Sequence, residues 1–295
     1  MRKYLSIVVF LLCSGFGWSQ QGDLISTSYV FVPSQNNQVD FSQSRTLINL
    51  PTKLKKGVLL QSVSFDYYKL NYDANLLPFT ESIERFYAMN YRVNYIRSIS
   101  KNWQFGTSFL VGTQSNFRSS ISSEDFNLGG GLFFAKNSLG KQSRSRLVIG
   151  LNFSNALGEP RLLPMIGYTK IYNNGNAFAL GFPNTFYNYQ LNSKTSLKAL
   201  LDFQGFYANV GDQPRLNQDE NINKAFFLSA GLGLELKRKI DANWLVFLKS
   251  TYAFLNDYTL LNEAETEIID FGLDPVFYIS TGVTFNINRK QNNLK

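Results

Sequence analysis

The chain has 295 residues, a formal net charge of +8 and no histidine. Without an imidazole base, serine–histidine hydrolases, histidine-dependent lipid deacylases and aspartate–histidine proteases are excluded. Its one cysteine, Cys13, leaves neither a zinc ligand set nor a disulfide framework.

The chain opens MRKYLSIVVFLLCSGFGWSQ. Arg2 and Lys3 start it, an apolar run from Leu5 to Leu12 follows, and Gly17 and Ser19 supply small residues before Gln20. That order predicts a secretory signal peptide over 1–19. Its apolar run is shorter than the roughly 18 residues of a membrane-spanning helix. Cys13 follows Leu12 rather than a small residue, which favours a discarded signal over lipid attachment. Loss of Arg2 and Lys3 lowers the charge from +8 by two, to +6. The basic residues are not gathered in one block, and export argues against a nucleic-acid partner.

From Ile25 onward the predicted elements are strands. RFYAMNYRVNYIR sets Tyr87, Met89, Tyr91, Val93 and Tyr95 against Ala88, Asn90, Arg92 and Asn94. KNWQFGTSFLVG, FNLGGGLFF and RLVIGLNFS alternate in the same way. AFFLSAGLGLELKRK puts Leu228, Ala230, Leu232, Leu234 and Leu236 on one face, with Ser229, Gly231, Gly233 and Glu235 on the other. A period of two marks strands. The second face carries Gly, Ser, Asn and Gln rather than the Lys, Glu and Thr of a water-facing sheet, as a crowded polar interior would. Several segments reach the ~9–11 residues that cross a bilayer at a tilt. Aromatics such as Tyr95, Trp103, Trp244 and Tyr252 sit toward segment ends, as interfacial girdles do. The apolar face is therefore predicted to meet lipid.

Connections set the orientation. SISKN (98–102), NSK (192–194) and KIDAN (239–243) read as tight periplasmic turns; 210–224 and 256–274 read as outer loops. Keeping all the tight turns on one side requires a further turn at Phe182–Thr185, where Pro183 interrupts the ladder. The expectation is an all-β, transmembrane, antiparallel up-and-down β-barrel of about fourteen strands. Twelve is the alternative, because the two halves around Pro183 are short. No plug domain is expected. The barrel is predicted over 20–288, with a basic periplasmic tail over 289–295, in the outer membrane.

The stretch 157–197 carries Leu163-Pro164 before Gly167-Tyr168, a Gly181-Phe182-Pro183 turn, and Tyr189 ahead of the next turn. With a Trp after each of two tight turns, at 103 and 244, it resembles a Gram-negative outer-membrane β-barrel family filed as a domain of unknown function. The resemblance implies that location and fold and supplies no activity.

Alternation turns Asp66, Tyr68, Asn90, Arg92, Asn94, Arg146, Lys198, Asp202, Gln204 and Glu235 inward. As a set they either line a channel or fill the lumen with an ion-pair network. Leu110, Phe133, Leu200, Phe206 and Phe227 are apolar yet inward by phase, which fits a lipophile route or packing against a loop or bulge. The last outer loop carries Asp257, Glu263, Glu265, Glu267, Asp270 and Asp274, as a cation vestibule or as a solvated acidic surface. LGGGL (128–132) precedes no helix, so it is no phosphate cradle. No catalytic residue, metal or cofactor is predicted. The expected role is a passive pore, or transport of small solutes or lipophiles. The alternative is a structural or interaction barrel displaying its outer loops. Expected partners are outer-membrane lipid, lipopolysaccharide and the insertion machinery.

Overall fold

The computed structural model describes residues 23–33, 39–73, 80–154, 160–216 and 220–287. The expected signal peptide (1–19) and basic tail (289–295) lie outside these residues. Within them the alternation becomes long strands: β1 (Ile25–Val32), β2 (Val39–Leu54), β3 (Gly57–Tyr72), β4 (Arg85–Ser98), β5 (Trp103–Ser115), β6 (Phe126–Leu139), β7 (Ser143–Ser154) and β8 (Arg161–Tyr172). Then come β9 (Ala177–Phe182), β10 (Phe186–Gln190), β11 (Thr195–Asn209), β12 (Lys224–Lys239), β13 (Trp244–Leu261), β14 (Glu267–Asp270) and β15 (Val276–Phe285).

Each strand pairs antiparallel with its neighbour from β1 through β13. β13 then pairs with β15, and β15 with β1 from Ile25–Phe285 to Phe31–Ile279. The circle therefore closes with fourteen strands and leaves no open edge where the chain's ends meet. β14 stands outside the count, paired only with the outer end of β13. The turn expected around Pro183 is present and rules out twelve. Gly181 has φ +118°, and a Cβ there would lie 2.0 Å from Ile166 O, so glycine is required at this hairpin tip. Thr185 Oγ1 clamps the tip, donating to Gly181 O (2.9 Å) and accepting from Gly181 N–H (3.1 Å).

The outer surface is the greasy face. Val63, Phe65, Met89, Phe109, Leu132, Phe134, Ile149, Leu151, Leu232, Leu234, Phe277 and Ile279 are all exposed. A belt of this size has no water-soluble rationale and matches the apolar band of a membrane barrel. A bulge at Ala230/Gly231 turns both Phe254 and Leu255 outward. Tight turns use local polar chemistry: Asp241 Oδ1 accepts the N–H groups of Asn243 (2.7 Å) and Trp244 (2.8 Å). Those two bonds hold its carboxyl below the usual carboxylate range.

The interior is not uniformly polar. At the outer end, Phe41 (β2), Tyr68 (β3), Phe86 (β4), Phe206 (β11), Phe227 (β12) and Tyr258 (β13) meet across the lumen. Phe41 and Phe227 stack at 4.3 Å, and Phe206 lies 4.9 Å from Tyr68 and 5.3 Å from Phe86. Val30, Leu70, Ile83, Val210, Ile222, Leu260 and Phe271 complete a continuous buried core. This core fills the outer half of the barrel.

The wall changes with height. β5 and β11 come together in parallel at Ser115 and Asn209. At this outer level the circle runs β1 to β5 and then β11, β12, β13 and β15, while β6 to β10 add width only below. A short helix (Thr80–Ile83) and a 3₁₀ turn (Ser123–Asp125) seal the junction. The helical pieces are departures from the sequence expectation, which had strands alone.

Candidate functional site: a basic cup and a paired interior

Below the hydrophobic core, the lumen carries charge in compensated groups. Asp66 accepts from Gln43 Nε2 (2.8 Å) and Ser64 Oγ (3.4 Å) and pairs with Arg45 (3.4 Å). Asp202 lies 2.5 Å from Lys249 Nζ and accepts from Tyr278 OH (2.8 Å) and Thr251 Oγ1 (3.1 Å). Glu235 sits between Lys237 (3.3 Å) and Lys198 (3.7 Å), and Lys198 also lies 4.6 Å from the Phe186 ring. Asn90 donates to Ser64 Oγ (3.4 Å) and Arg146 to Gln104 (3.1 Å).

The residues placed inward by alternation divide by their surroundings. Asp66, Asp202 and Glu235 are buried and ion-paired, the arrangement a lumen-filling network would have. Tyr68 belongs to the hydrophobic core, because it lies one turn of the pleat further out than Asp66. Gln204 is half-buried beside that core, while Arg92 and Asn94 face the wider part. Of the inward apolar set, Phe206 and Phe227 are core, and Leu110, Phe133 and Leu200 lie lower, in the fourteen-strand part.

At the end of the barrel that carries the tight turns is a cavity of about 1010 Å³. Its lining includes Lys53, Lys55, Lys56, Arg97, Arg144 and Arg146, with Gln104, Asn137, Ser138 and Thr169, and no acid. Six cations in one recess focus a positive potential, and Arg presents a fork suited to carboxylate or phosphate. Lys53, Lys55, Lys56 and Arg97 lie at or beside the turn ends of β2 and β4, and Arg144 at the start of β7; sequence reasoning did not group them. The signal was the recurrence of bases beside successive tight turns.

The acidic outer group does not converge. Asp257 lies within β13, which runs on to Leu261, and Glu267 and Asp270 lie in β14. This corrects the expectation of one loop from 256, because the hairpin of β13 and β14 continues above the barrel. Glu263, Glu265 and Asp274 lie between or beside these strands, and Glu265 accepts from Tyr207 OH (2.8 Å). Among the described residues no group of three or more acids could hold a metal ion.

The junction between β5 and β11 is a second polar assembly. Asn116 donates to Ser82 O and Asp212 Oδ1 (both 2.7 Å) and accepts from Gly211 N–H (2.9 Å). Asp125 accepts from Asn209 Nδ2 (2.8 Å) and Ser122 N–H (2.7 Å). Burial opposes its ionisation, but the bonds from Ser115, Ser122 and Asn209, with Lys224 nearby, outweigh that and hold its carboxyl below the usual range. A carboxylate with a depressed folded-state pKa stabilises the fold above its unfolded pKa, and that stabilisation is lost as pH falls through the folded value. Urea unfolding from pH 7 down to pH 2 is expected to show Asp125→Asn narrowing its deficit against wild type at the acid end. A constant deficit would mean that charge plays no part.

A closed antiparallel barrel with an apolar belt defines an outer-membrane β-barrel. The chain belongs to the family described as Domain of unknown function (DUF6268), which matches residues 38–286. No curated relative matches the sequence. Among solved structures the chain is similar to the Pseudomonas putida toluene transporter TodX, at 10% identity and TM-score 0.38, covering 94% of this chain and 93% of that one. It is similar to the KdgM porin in complex with disordered oligogalacturonate, at 10% identity and TM-score 0.37, covering 89% and 99%. It is also similar to outer membrane phospholipase A from Escherichia coli, at 11% identity and TM-score 0.36, covering 95% and 97%.

Proposed function

We propose that this is a non-enzymatic transport barrel that takes up small anionic solutes at its periplasmic cup. The observation that carries the reading is the cavity of about 1010 Å³ lined by six cations and no acid. A basic recess raises the local concentration of anions about ten-fold or more. The filled outer half makes an unobstructed axial pore the weaker form of the reading. The same proposal takes residues 1–19 as a cleaved export signal, the insertion machinery as a biogenesis partner, and membrane lipid and lipopolysaccharide as the belt's surroundings.

The test uses a trisulfonated pyrene dye and the folded barrel in nanodiscs, read by fluorescence polarisation. Saturable binding is expected to weaken about ten-fold or more in the triple variant Lys55→Glu, Lys56→Glu, Arg97→Glu. Binding that ignores these substitutions would overturn the reading. The second reading, a structural barrel, is favoured by the packed aromatic core, and it gains if the dye does not bind.

A further inference from the structure

Among the described residues the barrel wall is interrupted on one side. β10 pairs with β11 only from Gln190–Ser196 to Phe186–Leu200. The last hydrogen bond on that edge runs from Leu201 N–H to Thr185 O (3.0 Å). β9 pairs with β8 only as far as Phe182–Ile166. Above the 182–186 tip, residues 161–165 of β8 and 202–208 of β11 have no strand between them among the described residues. The gap is roofed where β11 reaches β5 at Ser115 and Asn209. From Leu201 to Asn209 β11 covers about 26 Å at ~3.3 Å per residue.

This gap lies in the lipid belt. Leu162, Ile166, Leu180 and Phe203 flank it and are exposed on the outer surface. Lipid-exposed open edges are not tolerated in hydrocarbon, because no water is there to meet the unpaired backbone groups; such backbone survives only where it lines a cavity or is met by polar groups. The lining behind the gap is apolar where alternation would place polar side chains. Leu110, Phe133, Leu163, Met165, Phe186 and Leu200 all take inward positions there: Leu163 and Met165 pair with inward Asn152 and Gly150, and the Phe133 ring overlies Gly106. Below this apolar band lies the basic cup.

The order from inside to outside is thus a cationic recess, an apolar interior band and an opening into the bilayer. We propose that the gap between β8 and β11 is a lateral portal through which a single-chain anionic amphiphile passes between the lumen and the membrane. Its acidic head is held by the cup and its tail lies along the apolar band. The proposal rests on the transport reading and names its cargo.

The test is photolabelling of the full barrel in liposomes with a diazirine-bearing long-chain fatty acid, followed by peptide mapping. Crosslinks are expected on inward Leu163, Met165 and Leu200. They should be about ten-fold or more above those from the methyl ester of the same probe, because only the acid is attracted to the cup. Crosslinks confined to outward Leu162, Ile166 and Phe203 would show annular lipid alone and overturn the portal. Equal inward labelling by the ester would overturn the anionic head. Dye binding at the cup with no inward labelling overturns the portal and leaves the transport reading standing; loss of both overturns both. In Leu200→Asn, whose folding is checked by heat-shift on a gel, inward labelling is expected to fall; labelling unchanged there would place the tail elsewhere and overturn the portal.

Discussion

Phe206→Ala should destabilise the barrel by about 3–5 kcal/mol, the range for truncating a buried Phe in a packed core. The residue is 1% exposed. Its ring meets Tyr68 at 4.9 Å, Phe86 at 5.3 Å, Phe227 at 5.9 Å, Phe41 at 6.1 Å and Tyr258 at 6.4 Å. These partners come from β2, β3, β4, β12 and β13, so one truncation loosens contacts around most of the narrow outer ring. Collapse into the void is hindered because each partner is anchored on a strand whose register is fixed by its neighbours. Urea unfolding in liposomes, read by tryptophan fluorescence, measures the loss. The same core makes an electrical prediction. The wild-type barrel in a planar bilayer is expected to stay silent across voltage, and Phe206→Ala with Phe227→Ala to admit steps. Large ohmic steps from wild type would show that the aromatic core does not close the axis. A loss below about 1 kcal/mol would show that the outer half is not packed as a core.

The fold was legible because lipid imposes a rule at every second residue. The face pattern in β4, β5, β7 and β12 follows from it, and one shift of register would put Gly, Asn and Arg into hydrocarbon. The count of fourteen rested on one turn, and Gly181, Pro183 and Thr185 carried enough local chemistry to place it. What the sequence hid was height. β9 and β10 were recognisable as short, but shortness alone does not say that β11 then leans across to β5. That contact joins residues 115 and 209, and it is set by Asn116, Asp125 and Asn209, each ordinary in its own stretch of sequence. The inward apolar residues were visible by phase. Phase does not separate Phe206, in the core, from Leu200, three pleats below it, because depth depends on where the wall narrows. The cup was scattered for the same reason: its six cations come from β2 with its following turn, β4 and β7, which only the closed circle brings together.

Asp202→Ala should be comparably damaging, by about 3–5 kcal/mol, for an electrostatic reason. Asp202 and Lys249 are both buried, on β11 and β13, with β12 between them; the pair therefore spans the lumen side of three strands. Removing the carboxylate leaves the Lys249 ammonium buried without its partner at 2.5 Å, and leaves Tyr278 OH and Thr251 Oγ1 without the acceptor they share. The penalty of a stranded charge exceeds the net worth of the pair, because taking both ions out of water cancels much of their attraction. The double variant Asp202→Leu, Lys249→Met should therefore recover most of the stability that either single change loses. If Asp202 instead acted through shape alone, Asp202→Leu and the double variant would be equally unstable. A double-mutant cycle by urea unfolding separates the two cases. Strong coupling between the positions identifies this part of the lumen as structural filling, and near-additive losses would return Asp202 and Lys249 to the set of residues free to meet a solute.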